Sequence, residues 1–486
     1  MARTQLHLEH VLRRAGFGAS AEELGRLGSL SMSGVVSHVL NYDDEPDDVD
    51  GRIGSADFVG VTARGTGGFT PALNIEDARQ RWLFRMVHTR RPLQEKMALF
   101  WHNHFATAYS KLNGIVGSAM ATKMLALKPG ELPGPQGQLE LFRARGMGSF
   151  RDLLIEVARD PAMLYWLDGR TNTRQRPQEN FGREIMELFT FGLGNYTEQD
   201  VYAAARVFTG WNARFQNNGS DAANYYEFQY VPANHDTTEK IFTFPIYRNG
   251  STTIPARAAA DGMQDGIDLI TALATHPHTA ERLARRIWAY FVSEVREPDP
   301  DFVRAAAGIY LSTGTSIRAL VQFTLQSTWF QSPANWHSRY AWPVEYVVRA
   351  IKEVGWVGYS VDAVRAPLTA MGQTLFEPPD VNGWELGKGW FSTGAMLARM
   401  NFASAIAANQ RFNLASAAAG ARDNPEQFAD FVFDRLSPAP FDRDSRDALV
   451  AYLTTGGAWT GADAQLRSKG AGLVRLVVGS GEYQLV

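Results

Sequence analysis

Two short polar clusters stand out in otherwise apolar sequence. The first is Trp101-His102-Asn103-His104-Phe105, and the second runs from Glu179-Asn180 through Arg183-Glu184 to Glu187-Leu188. Burying that many ionisable groups is costly unless they pair, bind a metal or serve chemistry. On a helix over 178–191, Glu179, Arg183 and Glu187 fall on one stripe at i, i+4 and i+8, while Asn180, Glu184 and Glu187 fall on an overlapping one. Arg183 can then bridge two carboxylates and leave Glu184 and Asn180 to point elsewhere. In the sharper reading Glu184 or Glu187 is a metal ligand or general acid/base whose rotamer and protonation Arg183 fixes, with Asn180 facing a substrate. The plainer alternative is an internal salt-bridge network.

His102 and His104 diverge by roughly 200° on a helix and meet at one metal only in an extended or helix-terminal segment. The sequence Ala106-Thr107-Ala108 predicts a helix end close by, which leaves shared ligation open. Against it stands a packed histidine bonded to backbone or to Glu95. A third candidate, His235-Asp236, lies in a loop, where Lys240 is a ready partner for Asp236. Trp211, Trp384 and Trp390 suit stacking on a sugar or another flat apolar face, although tryptophan is more often core. His276-Pro277-His278 reads as the capped start of a helix.

Three readings follow. In the leading one, His102, His104, His235 and Glu184 hold a divalent cation (zinc, manganese or iron), and Glu187 or Asp236 activates water for hydrolysis of an ester or a carbohydrate. In the second, two of Glu179, Glu184, Glu187 and Asp236 form a metal-free acid/base pair for a glycosidic bond. In the third, the clusters are internal bracing in a protein that binds a polysaccharide or another protein.

Elements must position these groups. Ser20 caps one of two short helices expected over 5–40 around Gly16-Phe17-Gly18. Apolar residues recur at helical spacing from Asn74 to about Ser110, with a break at Arg91-Pro92. Proline and glycine stop the chain at 128–135. Helices are expected at 148–159 and 178–191, and Thr197 to Asp200 forms a capping box for the next. Alternating aromatics over 214–256 predict a small hairpin insertion. Helical periodicity returns from Asp261 to about Val357, Phe376 to Trp390 reads as loop, and helices finish the chain. The expectation is a mainly α, multi-helical protein with a small β-hairpin insertion. It divides into an N-terminal region (1–135), a central one (136–213), the insertion (214–256) and a C-terminal region (257–486), with no internal repeat.

Composition bounds the chemistry. The chain has 486 residues, and its formal charge of -3 gives no electrostatic case for a nucleic-acid partner. Cysteine is absent, which excludes disulfides, thiolate metal sites and a cysteine nucleophile. A Gly-x-Ser-x-Gly elbow and a phosphate loop are also missing, and Gly65-Thr66-Gly67-Gly68 lacks the preceding strand of a dinucleotide site, so no nucleotide cofactor is expected. No apolar run is long enough to span a membrane, and the first ten residues lack a signal-peptide core. As written, the chain is expected in the cytoplasm. Oligomeric state is open, and a small molecule or polysaccharide is the expected partner.

The motifs His10 to Gly18, Arg91 to Lys96, Trp101 to Phe105, Glu179 to Leu188, Tyr196 to Val201, Thr209-Gly210-Trp211, His235-Asp236, His276-Pro277 and Pro378 to Trp390 resemble, in order and spacing, a bacterial family catalogued as domain of unknown function 1800. The resemblance implies a helical protein whose relatives are often exported, and it implies no substrate.

Overall fold

The structure is a computed structural model that describes residues 3–65, 67–409 and 414–486; Thr66, which falls in the glycine-rich stretch, lies outside the described residues. The chain is mainly α, with two small antiparallel two-stranded sheets. Helix boundaries follow local chemistry. Asn74 caps Ile75–His88 by accepting from the Glu76 and Asp77 amides, and Pro92 opens Pro92–His104. Ser149 caps Phe150–Arg159, and Thr197 with Asp200 forms the capping box of Glu198–Val207. Where two short helices were expected near the N-terminus there are three, Arg3–Arg14, Ala21–Leu27 and Met32–Leu40, because Ser31 supplies a second cap after Leu27.

The hairpin pairs β1 (Trp211–Gln216) with β2 (Tyr225–Tyr230) in the register Trp211↔Tyr230 to Gln216↔Tyr225. It therefore starts three residues before the expected insertion. The aromatics that follow sit around a second short pair, β3 (Lys240–Ile241) with β4 (Thr253–Ile254). The 178–191 segment departs from a regular helix. It is α over Glu179–Met186 and a π-turn over Glu187–Phe191, after which Gly192 ends it with φ 84°.

One cluster of buried apolar side chains runs from Leu8 to Val486. Several charged groups inside it are paired. Glu95, fully buried, accepts from Arg85 at 2.7 Å and from Arg143 at 2.9 Å. Glu345 takes Arg339 and Lys96, and Glu353 takes Arg349 and the Tyr483 hydroxyl. Among the described residues no helix is long and apolar enough to cross a membrane.

Candidate functional site

The helix carrying the carboxylates lies against Glu198–Val207, and Gly182 permits the contact. A Cβ there would meet the Ala205 amide nitrogen at 2.9 Å and Ala204 at 3.2 Å. Arg183 uses this neighbour. It makes two 2.7 Å bonds to Glu198 and a longer 3.5 Å one to Glu179. The bridge drawn from helical spacing, Glu179 to Glu187, is replaced by a cross-helix pair that spacing within one helix cannot reveal. Asn180 donates to Asp168 at 3.0 Å, and Lys111 approaches the same carboxylate at 3.5 Å.

Glu184 and Glu187 stand apart from these pairs. Glu187 accepts the Tyr196 hydroxyl. Glu184 is half-buried, and its carboxyl makes no hydrogen bond among the described residues. Burial, then the adjacent Glu187 charge, pushes its carboxyl up to about 7 against the opposing pull of Arg183. A carboxyl of that kind is partly protonated at neutral pH and reachable from solvent.

The π-turn that follows ends the helix at Gly192, so its last carbonyls have no intrahelical donor, and side chains cap them. Arg282 donates to the Leu188 carbonyl at 2.8 Å, His104 Nε2 to that of Phe189 at 3.1 Å, and Asn195 to that of Phe191 at 3.1 Å. Thr190 Oγ1 donates back to Ile185 at 2.6 Å. His104 thus reaches the carboxylate helix as a cap for its last turn. Burial, then Arg286 and Arg282, hold it well below the ordinary imidazole range.

His102 points away from His104, because the Pro92–His104 helix continues through both residues. Its Nε2 accepts from the Phe376 amide at 3.1 Å, and its ring lies among Trp82, Phe376 and Trp384. Burial pushes it down to about 3. Both histidines bond to backbone, and Glu95 belongs to Arg85 and Arg143. Next to His102, Asn103 Oδ1 accepts from the Trp384 amide at 2.7 Å. The loop sits so close that a Cβ on Gly383, at φ 82°, would fall 2.4 Å from that oxygen.

His235 is fully buried. Its Nδ1 lies 2.9 Å from the Thr209 carbonyl and its Nε2 3.3 Å from Asp265, which also takes Lys240 and Arg257. Asp236 is bound by Arg206 at 2.7 Å rather than by the Lys240 ammonium, which reaches only its backbone carbonyl. Burial alone would raise the Asp236 carboxyl, but Arg206 and Thr238 outweigh it and hold the group far below the usual range. The three tryptophans are core residues, Trp211 1% exposed and Trp384 and Trp390 each 4%.

The carboxylates of one helix and the His104 cap therefore come together, whereas His102 and His235 belong to two other neighbourhoods. Among the described residues no group of three or more His, Asp or Glu is arranged to hold a metal ion. His102, His104, His235 and Glu184 do not form such a group, and no step through a metal is derived. Sequence reasoning missed Asp265, Arg206 and Arg282. Only Arg282 carried a local signal, its helical spacing to Arg285 and Arg286.

No curated protein and no solved structure matches this chain. A family model described as Protein of unknown function (DUF1800) matches residues 10–485, nearly the whole chain. That span takes in the His102, Glu184 and His235 neighbourhoods alike, and the chain belongs to the DUF1800 family.

Proposed function

We propose that this protein is a hydrolase in which Glu184 and Glu187 act as a metal-free acid/base pair on an ester or glycosidic bond. The observation that carries the reading is the half-buried, unbonded Glu184 carboxyl, pushed up to about 7 beside a second carboxylate that Tyr196 anchors. Two carboxyls with different environments divide the roles. Glu184, protonated, gives its proton to the leaving-group oxygen. Glu187 takes a proton from the attacking water, whose oxygen forms the new bond as the old one breaks. The buried tryptophans take no part in binding substrate in this reading.

The test is a panel of chromogenic aryl esters and aryl glycosides, assayed with wild type, Glu184→Gln and Glu187→Gln, beside a carbon-13 NMR titration of the glutamate carboxyls. The expected result is turnover that declines above about pH 7 and falls by ~10²–10⁴ in Glu184→Gln. Equal turnover in both variants overturns the proposal. So does a wild type that cleaves nothing while Glu184 titrates in the ordinary carboxylate range, which would leave the clusters as bracing.

A further inference from the structure

A cleft of about 380 Å³ opens beside the π-turn. One wall is the helix Pro277–Phe291, which presents His278, Arg282, Arg285 and Arg286; the other is formed by Phe191 and Asn195. The arginines recur at i, i+3 and i+4, so they share one face. Arg285 and Arg286 differ from the fully buried arginines of the fold. Buried Arg85, Arg143, Arg339 and Arg349 each face a carboxylate. Arg14 and Arg399 lack an acid but hydrogen-bond to carbonyl oxygens.

Among the described residues, the Arg285 and Arg286 side chains make neither a hydrogen bond nor an ion pair. Arg286 is partly buried, with its guanidinium 5.9 Å from the Phe100 ring centre. Arg282 spends one nitrogen on the Leu188 carbonyl and keeps a buried Nε without a partner. The one carboxylate on the wall, Glu281, forms no ion pair with any of the three. Burial, then Arg282, pushes Arg286 down to about 9, the response of a cation that lacks a counter-charge.

We propose that this cleft is a binding site for an oxyanion, the carboxylate, sulfate or phosphate group of a small ligand. Guanidinium forks match the paired oxygens of such groups, and charge-assisted bonds to them are stronger than neutral ones. The ligand supplies the acceptors that the chain withholds from the Arg285 and Arg286 guanidinium groups. The site requires no turnover, so it stands or falls separately from the hydrolase reading.

The test is titration calorimetry on the full chain at fixed ionic strength in chloride, with inorganic phosphate, sulfate and galacturonate as probes and galactose as the neutral control. Expected is saturable one-to-one binding of at least one anion, weakened about tenfold by Arg285→Gln and by Arg286→Gln. The preferred anion identifies the acidic group. Arg285 is exposed, so Arg285→Gln decides the matter if Arg286→Gln fails to fold. Three outcomes overturn the proposal: no saturable binding of any probe, affinity unchanged in the folded variant, or galactose binding as well as the anions.

Discussion

At the scale of single residues, burial separates groups that share a type. Asp160 caps the helix Pro161–Trp166, accepting from the Ala162 amide at 3.2 Å and from Gln138 Nε2 at 2.7 Å. Burial exceeds the help of these bonds and pushes the carboxyl up to about 7. Between about pH 4 and pH 7 the unfolded chain therefore ionises at this position while the folded chain holds its proton. The unfolded state binds fewer protons there, so stability falls as pH rises through that window, by on the order of 3 kcal/mol. Urea unfolding at pH 4 and pH 8 should show this loss in wild type and a shallower one in Asp160→Asn. Residue type and spacing do not single out Asp160, because its burial comes from what folds against it. Glu184 was legible from helical spacing as a candidate that Arg183 leaves free, whereas the partner that holds Arg183, Glu198 across a helix contact, was not.

At the scale of elements, the candidate site depends on how two helices approach and how one of them ends. Gly182 sets the approach of Glu179–Met186 to Glu198–Val207, with the Ala205 amide nitrogen 2.9 Å from where a Cβ would stand. Gly182→Ala should force the helices apart at a cost of about 1–3 kcal/mol. Because the shift moves Glu184 toward solvent, its carboxyl should return toward the ordinary glutamate range, which NMR titration of the variant would read out. Helix starts were legible because caps are local, as at Ser20, Thr197 and Pro92. The π-turn was not, since its unmade bonds are satisfied by Arg282 and His104 from distant segments. For the same reason the His102-Asn103-His104 triplet looked like a ligand pair. Helical geometry sends its two rings in opposite directions, one to the Phe376 loop and the other to the π-turn.

At the scale of the molecule, buried ion pairs tie segments far apart in sequence. Glu95 joins Arg85 to Arg143, and Glu345 joins Lys96 to Arg339. Burial would raise the Glu95 carboxyl, but Arg143 and Arg85 prevail and hold it below its usual value. Glu95→Ala leaves two buried guanidinium groups short of their carboxylate and should destabilise the fold by about 3–5 kcal/mol in equilibrium denaturation. Replacing an exposed pair such as Arg304 with Asp301 should change little, because both side chains are 76% exposed.

The sequence by itself determined the helical class, several helix starts, the hairpin and the family, all of which rest on periodicity, caps and motif order within short stretches of chain. It also singled out Glu184 and Glu187 as candidates. Tertiary structure alone decided which polar groups are spent and which are free. His102, His235, Asp236, Arg183 and Arg282 are satisfied by partners from other elements, while the side chains of Glu184, Arg285 and Arg286 are not. A side chain's charge is written in the sequence. Its desolvation and its counter-charge depend on what folds against it, and those two terms set its chemistry.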